Sequence, residues 1–261
     1  MAIGLIIIGD EILSGKRVDQ HFPKVVQLLA ARGLQLGWAE YLGDDPARIT
    51  ATLKRSFASG DIVFSCGGIG ATPDDHTRQA AATALDKPLR LHPQGKELIQ
   101  QRIRQVAQEA GQVADLNSAE NLHRLKMAEF AEGAALIPNP YNNIPGFALG
   151  THYFVPGFPV MAWPMIEWVL DTHYADLFNR EPRAEHAVLV YEAAESALTP
   201  LMVAIEASFP RVKVFSLPSV GDARTRRHIE LGVKGEPGQA AQAFRQMCAE
   251  LDRLEAEYRP L

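Results

Sequence analysis

The order of the apolar segments is the feature that most constrains the fold of this chain. Residues 3–8 form a continuous apolar run rich in isoleucine, which is typical of a strand buried on both faces. Further segments alternate between strand-like runs and helical spacing, with predicted strands at 34–42 and 62–65 and predicted helices at 18–31, 46–58 and 77–85. This alternation predicts an α/β fold of three layers, in which a mostly parallel sheet is covered by helices on both faces.

The middle of the chain is predicted to extend the same domain. Residues 95–127 have helical spacing in two pieces that break near Gly111. Residues 147–155 are predicted as one strand that pairs with a strand at Leu136 and Ile137. The run between them is rich in proline, asparagine and glycine, so we expect a hairpin appended to the sheet. A long helix is predicted at 160–178.

A second, smaller domain is predicted after the polar, proline-containing segment 179–183. The order strand, helix, strand, strand, helix follows at 186–191, 196–208, 212–216, 228–233 and 239–258. This order favours a small ferredoxin-like α+β domain. We therefore expect one domain at 1–180 and a second at 184–261.

The composition is that of an ordinary soluble protein, with 47% hydrophobic residues and a net charge of −5. A dedicated nucleic-acid binder would carry a basic face, so nucleic acid is not expected as a partner. The basic segment 224–228 fits a solvated loop better than an RNA surface, because few aromatic residues accompany it. The 2 cysteines show no disulfide or metal spacing, and the opening apolar run is too short to cross a membrane. We expect a cytoplasmic protein with no membrane partner.

Three loops that carry glycine or acidic residues directly follow predicted strands, namely Gly9-Asp10-Glu11, Gly43-Asp44-Asp45 and the segment 67–75. The carboxyl ends of parallel strands meet at one edge of a sheet, so the three loops are expected to form one site. Glycine lets backbone amides approach a phosphate, and carboxylates suit a Mg²⁺ ion that also binds phosphate oxygens. The alternative is structural, because Asp45, Asp74 or Asp75 would also serve as a helix N-cap. The coincidence of three such loops favours a ligand site.

Several motifs occur in the order and at the spacing of a known family. They are Ile8-Gly9-Asp10-Glu11-Ile12-Leu13-Ser14-Gly15, Gly43-Asp44-Asp45, Gly67-Gly68-Ile69-Gly70-Ala71-Thr72-Pro73-Asp74-Asp75-His76-Thr77, Asn143-Ile144-Pro145-Gly146-Phe147 and Val155-Pro156-Gly157-Phe158-Pro159. Residues 1–178 therefore resemble the molybdenum-cofactor-biosynthesis (molybdopterin-binding) family, especially the N-terminal region of competence/damage-inducible protein A and the similar domain of eukaryotic FAD synthases. The chain departs from the family pattern at Ala71 and Phe158, where proline is usual.

The resemblance implies that a small molecule bearing a phosphate binds to these motifs. The ligand-binding residues that it implies are Gly9, Asp10, Glu11, Ser14, Gly15, Gly67, Gly68, Gly70, Thr72, Thr77, Asn143, Pro145, Gly146, Pro156 and Gly157. It also implies that Asp44, Asp74 and Asp75 are catalytic and hold a divalent metal ion, either Mg²⁺ or else Mn²⁺ or Co²⁺.

The activity implied by the resemblance to competence/damage-inducible protein A is metal-dependent hydrolysis of a nucleotide pyrophosphate such as ADP-ribose or FAD. Two alternatives stay open at this point. One is molybdopterin binding with adenylyl transfer, and the other is a non-catalytic module that binds a pterin or a nucleotide. Relatives of this domain self-associate, so the resemblance also implies a homo-oligomer, either a dimer or a trimer.

Overall fold

The computed structural model describes residues 1–179, 182–222 and 224–261. The predicted linker lies partly outside the described residues, at Arg180 and Glu181. The chain divides into two compact units, Met1–Phe178 and Asn179–Leu261, and each unit has its own sheet and apolar core. Within the described ranges, no helix combines the length and the apolar character that crossing a membrane requires.

The first unit contains the strands β1 (Ile3–Ile8), β2 (Trp38–Leu42), β3 (Ile62–Cys66), β4 (Leu89–Leu91), β5 (Glu129–Ala131), β6 (Ala135–Ile137), β7 (Gly146–Leu149) and β8 (His152–Val155). Its central sheet has the strand order β2-β1-β3-β8-β7-β6. β1 is parallel to β2 and β3, and β3 is parallel to β8. The pairs β8/β7 and β7/β6 are antiparallel, and β4 and β5 form a separate antiparallel ribbon.

Helices cover both faces of the central sheet. They are α1 (Asp10–Leu13), α2 (His21–Ala30), α3 (Pro46–Ser59), α4 (Thr77–Ala84), α5 (Pro93–Glu109), α6 (Ala119–Leu125) and α7 (Pro159–His173). Alternate side chains of β1 reach the two layers. Leu5 and Ile7 pack in one cluster with α2 and α7, whereas Ile6 and Ile8 pack in another with α3 and α4. The three-layer, mostly parallel α/β fold that the sequence predicts is confirmed.

The prediction of a single strand at 147–155 is wrong, because the chain folds there into the hairpin β7–β8. Gly150 adopts a left-handed conformation (φ 59°) at the turn, which glycine adopts without strain. Apolar residues on both sides of this turn make the run resemble one continuous strand. The sheet is therefore parallel from β2 to β8 and antiparallel at its β7–β6 end.

Several element boundaries also differ from the sequence prediction. Helix α2 begins at His21 rather than at residue 18, and β2 begins at Trp38 rather than at residue 34. The ribbon β4–β5 and the short helix α1 are absent from the prediction. Elements of three or four residues are too short to give a clear periodicity, so only the structure reveals them.

The second unit contains β9 (Ala184–Tyr191), α8 (Glu195–Ser208), β10 (Val212–Ser219), β11 (His228–Gly235), α9 (Pro237–Arg253) and β12 (Tyr258–Pro260). Its sheet is antiparallel with the order β10-β11-β9-β12, and both helices pack on the face that carries Val190 and Leu231. This is the predicted ferredoxin-like arrangement, and β12, which the sequence does not predict, is the fourth strand that completes it. The helix predicted to reach residue 258 ends at Arg253, and the chain turns at Glu255 (φ 52°) into β12.

Candidate ligand-binding site

Four parallel strands bring the predicted loops to one edge of the central sheet. Ile8 of β1 pairs with Leu42 of β2, and Cys66 of β3 pairs with Val155 of β8. The amide of Gly9 donates to the carbonyl of Leu42 (3.0 Å) as the chain leaves β1. The loops after β1, β2, β3 and β8 therefore begin side by side, at the edge where parallel sheets bind ligands.

A carboxylate cluster lies next to the ends of β1 and β2. The amide of Asp10 donates to Oδ2 of Asp44 (2.9 Å), and the amide of Asp44 donates to Oδ1 of Asp10 (3.2 Å). Gly43 permits this approach, because a Cβ atom there would overlap Oδ1 of Asp10. The two aspartates line a cavity of about 600 Å³ whose other lining residues are Glu11, Leu13, Ser14, Lys16 and Asp74. The described lining thus combines four carboxylates with one lysine.

The environment of Asp44 raises the pKa of its carboxyl above the ordinary value. Burial is the largest cause, and the negative charges of Asp10, Glu11 and Asp74 add to it, against a hydrogen bond from the amide of Asp10. Asp74 differs, because the nearby hydroxyl of Thr72 holds the pKa of this exposed carboxyl below its ordinary value. A cation in the cavity would offset the repulsion at Asp44.

The predicted metal ligands do not form a complete coordination sphere of protein side chains. Among the described residues, no group of three or more His, Cys, Asp or Glu side chains is arranged to hold a metal ion. Asp44 and Asp74 line the same cavity, whereas Asp75 is outside its lining. Mg²⁺ usually binds one or two carboxylates and completes its coordination with waters and substrate phosphates. The donor set fits that mode, in which the ion and the ligand bind together.

Thr72 and Asp75 close the end of the glycine loop, which comprises residues 67–75. Both the amide and the hydroxyl of Thr72 donate to Oδ2 of Asp75, at 2.8 and 2.5 Å. The amide of Asp75 in turn donates to the carbonyl of Thr72 (3.0 Å). Asp75 therefore stabilises the loop, and the Thr72 hydroxyl, predicted to meet the ligand, already has a partner within the protein.

The first carbonyls of the glycine loop have donors, whereas a run of its amides has no acceptor among the described residues. The Thr77 hydroxyl donates to the carbonyl of Gly67 (3.0 Å), and the Thr77 amide donates to the carbonyl of Gly68 (3.0 Å). The amides of residues 68–71 bond to no acceptor in the described part of the chain. Consecutive unpaired amides suit a phosphate, so this loop keeps donors available for an anion.

Gly67 and Gly68 adopt left-handed conformations, with φ of 108° and 68°. A Cβ atom on Gly67 would overlap the carbonyl of Ile8, and one on Gly68 would overlap Oγ1 of Thr77. Both backbone conformation and space therefore require glycine at these positions. Thr77 is fully buried beneath the loop, so it positions the predicted phosphate-binding segment rather than lining an open surface.

Two side chains that no sequence motif marks hold the later loop carbonyls. Arg78, only 2% exposed, donates to the carbonyls of Gly70 (2.6 Å) and Glu129 (3.3 Å), and its burial lowers its pKa. Nε2 of His123 is hydrogen-bonded to the carbonyl of Ala71. No local pattern marks Arg78, because one of its backbone partners lies 51 residues away in the sequence.

Four more predicted residues lie at this edge. Ser14 lines the carboxylate cavity, and Gly15 (φ 71°) follows the short helix α1. Pro156 and Gly157 follow β8, and a Cβ atom on Gly157 would lie 3.4 Å from Cα of Gly67. The structure thus brings the loop after β8 against the start of the glycine loop.

The predicted residues of the loop between β6 and β7 have different environments. Asn143 (φ 62°) is exposed and lines a second cavity, separate from that of the carboxylates. Pro145 and Gly146 are buried. A Cβ atom on Gly146 would overlap the carbonyl of Phe154 and lie 2.7 Å from Cε of Met165. Gly146 therefore serves close packing of β7, and Asn143 is the member of this group that is accessible to a ligand.

The fold and this edge define a class of α/β proteins that carry their ligand site at the carboxyl ends of parallel strands. The chain belongs to the family described as "Probable molybdopterin binding domain", which matches residues 4–176. The resemblance that the loop motifs indicate is thereby confirmed.

Relatives with the name CinA-like protein match most of this chain. One from Anaeromyxobacter sp. (strain Fw109-5) is 31% identical over 252 residues, which cover 89% of this chain and 58% of the relative. Another from Anaeromyxobacter sp. (strain K) is 30% identical over 257 residues, which cover 90% of this chain and 60% of the relative. The chain thus spans less than two thirds of their length.

The solved structure of the protein CinA from Thermoplasma acidophilum shares this fold. It superposes with a TM-score of 0.55 and 24% identity, over 65% of this chain and 96% of that chain. This likeness supports the fold of the first unit.

Proposed function

We propose that the first unit binds a nucleotide pyrophosphate of the ADP-ribose or FAD type and hydrolyses its anhydride with the help of a divalent metal ion. One observation carries the proposal: unpaired amides at residues 68–71 and a carboxylate cluster around Asp44 lie at the same edge of the sheet. Amides attract a phosphate, whereas carboxylates repel it unless a cation lies between them. A phosphate ligand that carries a metal ion satisfies both features.

Asp44 and Asp74 would hold the metal ion, with Asp10 and Glu11 in the same cavity. When bound, Mg²⁺, Mn²⁺ or Co²⁺ supplies positive charge to the phosphate oxygens. The raised pKa of Asp44 supports this assignment, because positive charge would relieve the repulsion among the crowded carboxylates.

The chain's own residues position the phosphate and accept a proton. The amides of the glycine loop hold the phosphate, while Thr77 and Arg78 fix the carbonyls of the same loop. In hydrolysis, the oxygen of a water molecule bonds to one phosphorus atom, and the bridging oxygen leaves with the other phosphate. The water loses a proton, which Asp10 or Glu11, the carboxylates of the same cavity that are not assigned to the metal ion, would accept. With ADP-ribose, the products are AMP and ribose 5-phosphate.

A second candidate function is adenylyl transfer to molybdopterin, which the description of the matching family favours. In that reaction, a phosphate oxygen of molybdopterin bonds to the α-phosphorus of ATP, and pyrophosphate leaves. The same amides and carboxylates would serve it, since both reactions occur at a phosphoanhydride. A third candidate is binding of either ligand without turnover.

Turnover assays separate these candidates. Wild-type and Asp74→Ala proteins are incubated with ADP-ribose, FAD or NAD⁺ and with Mg²⁺, Mn²⁺, Co²⁺ or EDTA, and released AMP is quantified. The proposal expects metal-dependent AMP release by the wild type and little or none by Asp74→Ala. A requirement for both ATP and molybdopterin would instead support adenylyl transfer. Equal ligand binding by both proteins, with no turnover, would support a binding module.

We also propose that the chain forms a homo-oligomer, a dimer or a trimer, in the cytoplasm. Family resemblance and exposed apolar residues of α7, such as Val160, support the assembly. Light scattering coupled to gel filtration measures the mass directly. A monomer of 28.7 kDa at all concentrations would contradict the proposal.

A further inference from the structure

A second cavity lies beside the loop between β6 and β7. It measures about 400 Å³ and is lined by Leu98, Pro138, Asn139, Pro140, Asn143, Pro164 and Trp168. Leu98 belongs to α5, and Pro164 and Trp168 belong to α7. The volume falls in the range of small-molecule sites, roughly 300–1,000 Å³.

The strand directions place this cavity's loop at the same sheet edge as the glycine loop. β6 is antiparallel to β7, and β7 is antiparallel to β8, so β6 runs parallel to β8 and β3. The chain after Ile137 therefore leaves the sheet on the side where the glycine loop leaves β3. β6 lies three positions from β3 in the strand order, which corresponds to about 14 Å at a strand spacing of about 4.8 Å. A nucleoside diphosphate spans such a distance between its base and its terminal phosphate.

Whereas the cavity at the carboxylate cluster is lined mainly by charged side chains, this cavity is mainly apolar. Its described lining contains no charged side chain and is mainly proline, leucine and tryptophan. Asn139 is 3% exposed and bonds to Asn142, Tyr141 and Ile144, so it fixes the loop.

Asn143 presents the accessible polar group of the cavity. It adopts a left-handed conformation (φ 62°), and its amide side chain bonds to no other described residue. One side-chain amide offers both a donor and an acceptor.

We propose that this cavity, termed the ring subsite, binds the planar bicyclic heterocycle of a ligand whose phosphates lie on the glycine loop. The inference rests on the proposed function and specifies how that ligand is recognised. Trp168 and the prolines provide apolar contact with the ring, and Asn143 bonds to its polar edge. A purine and a pterin both meet this description, so the experiment includes one ligand of each kind.

The test compares ligands that differ by the ring alone. Calorimetry with Mg²⁺ present measures the affinity of the wild type for AMP, ribose 5-phosphate and free pterin. The variants are Trp168→Ala and Asn143→Gly, since glycine keeps the positive φ of residue 143. Thr172→Ala is the control, because this exposed residue of the same helix is outside the cavity lining. Melting temperatures establish that each variant is folded.

The ring subsite predicts that Trp168→Ala weakens binding of AMP or of pterin by about tenfold and leaves ribose 5-phosphate unchanged. Asn143→Gly weakens the same ligand by about fivefold, as expected for one lost hydrogen bond. The ligand that responds identifies the ring as purine or pterin. Unchanged affinity for both ring ligands in both folded variants would overturn the ring subsite, even if metal-dependent AMP release continued. A wild type that binds none of the ligands and releases no AMP would overturn the proposed function as well.

Discussion

Asp10 and Asp44 are joined by reciprocal hydrogen bonds, in which the amide of each donates to the carboxylate of the other at 2.9 and 3.2 Å. Each residue follows its strand, β1 or β2, with a single glycine between, so this pair fixes the two loops to each other. The same bonds hold two carboxylates close together at a cavity that Glu11 and Asp74 also line. The metal-dependent function proposed above would place a cation between these carboxylates, where it would offset their repulsion.

The first prediction concerns Asp44→Asn and stability. The folded state raises the pKa of Asp44, so its ionisation opposes folding above that pKa, and the opposition disappears as the pH falls below it. The neutral variant should therefore melt a few degrees above the wild type at neutral pH, and the difference should shrink with acidification. Thermal melts from pH 3 to pH 8 measure this. Added Mg²⁺ should stabilise the wild type more than the variant, and equal stabilisation would contradict a metal site at Asp44.

The second prediction compares two glycines with nearly the same backbone conformation. A Cβ atom on Gly68 (φ 68°) would overlap Oγ1 of Thr77, whereas a Cβ atom on Gly60 (φ 72°) would meet no atom of the described residues within 4 Å. Gly60→Ala should cost about 1 kcal/mol from the left-handed conformation alone. Gly68→Ala should cost at least about 1 kcal/mol more and should also weaken pyrophosphate binding. Urea denaturation and calorimetry check both, and equal costs for the two variants would show that the contact with Thr77 is unimportant.

The third prediction concerns Arg78, whose guanidinium is buried against backbone carbonyls. Arg78→Met should lower the free energy of unfolding by about 2–4 kcal/mol, because the carbonyls of Gly70 and Glu129 lose their donor. Arg48→Met, at an exposed position of α3, should change it by less than about 0.5 kcal/mol. Pyrophosphate affinity should fall in Arg78→Met and persist in Arg48→Met. A stable Arg78→Met protein with normal affinity would remove Arg78 from any role in positioning the loop.

The fourth prediction concerns the pH dependence contributed by His152. Its ring is buried, its Nε2 lies 2.9 Å from Oγ of Ser56, and burial lowers its pKa to about 4. A lowered pKa means that the unfolded chain binds the proton first, so stability is lost as the pH falls from about 6.5 towards 4. The loss should reach up to about 3 kcal/mol. Denaturation of His152→Gln over this pH range should show a smaller change in the free energy of unfolding than the wild type shows. A change as large as that of the wild type would show that another group causes the pH dependence.

Long apolar elements are the part of the fold that the sequence predicts well. The isoleucine-rich run of β1 is predicted to be buried on both faces, which requires helices on each side of the sheet. The two apolar clusters that contain Leu5 and Ile6 confirm this expectation. The sequence does not predict the β7–β8 hairpin, because a single glycine at 150 marks the turn between two apolar strands.

The sequence predicts which loops come together at the site, but it predicts fewer of the contacts between their side chains. Parallel strands must end at one edge, so Asp10 and Asp44 could be placed together from their positions alone. Asp74 lines the cavity, whereas Asp75 accepts hydrogen bonds from Thr72. This difference between two adjacent aspartates depends on the conformation of the loop. The role of Arg78 depends on a partner distant in sequence, which no local pattern contains.

Asp44 and Asp45 provide a matched pair of residues for testing the proposed metal-dependent hydrolysis at the carboxylate cavity. They are adjacent and both acidic, but Asp44 lines the carboxylate cavity, whereas Oδ1 of Asp45 accepts from the amides of Ala47 and Arg48 as the N-cap of α3. Asparagine preserves such a cap, so Asp45→Asn should leave the structure and the activity unchanged.

The most direct test is the kcat for AMP release from ADP-ribose with Mg²⁺, measured for the wild type, Asp44→Asn and Asp45→Asn. A metal-dependent hydrolase at this cavity predicts a loss of about 100-fold or more in Asp44→Asn and wild-type turnover in Asp45→Asn. Wild-type turnover in Asp44→Asn, or equal losses in the two variants, would contradict it.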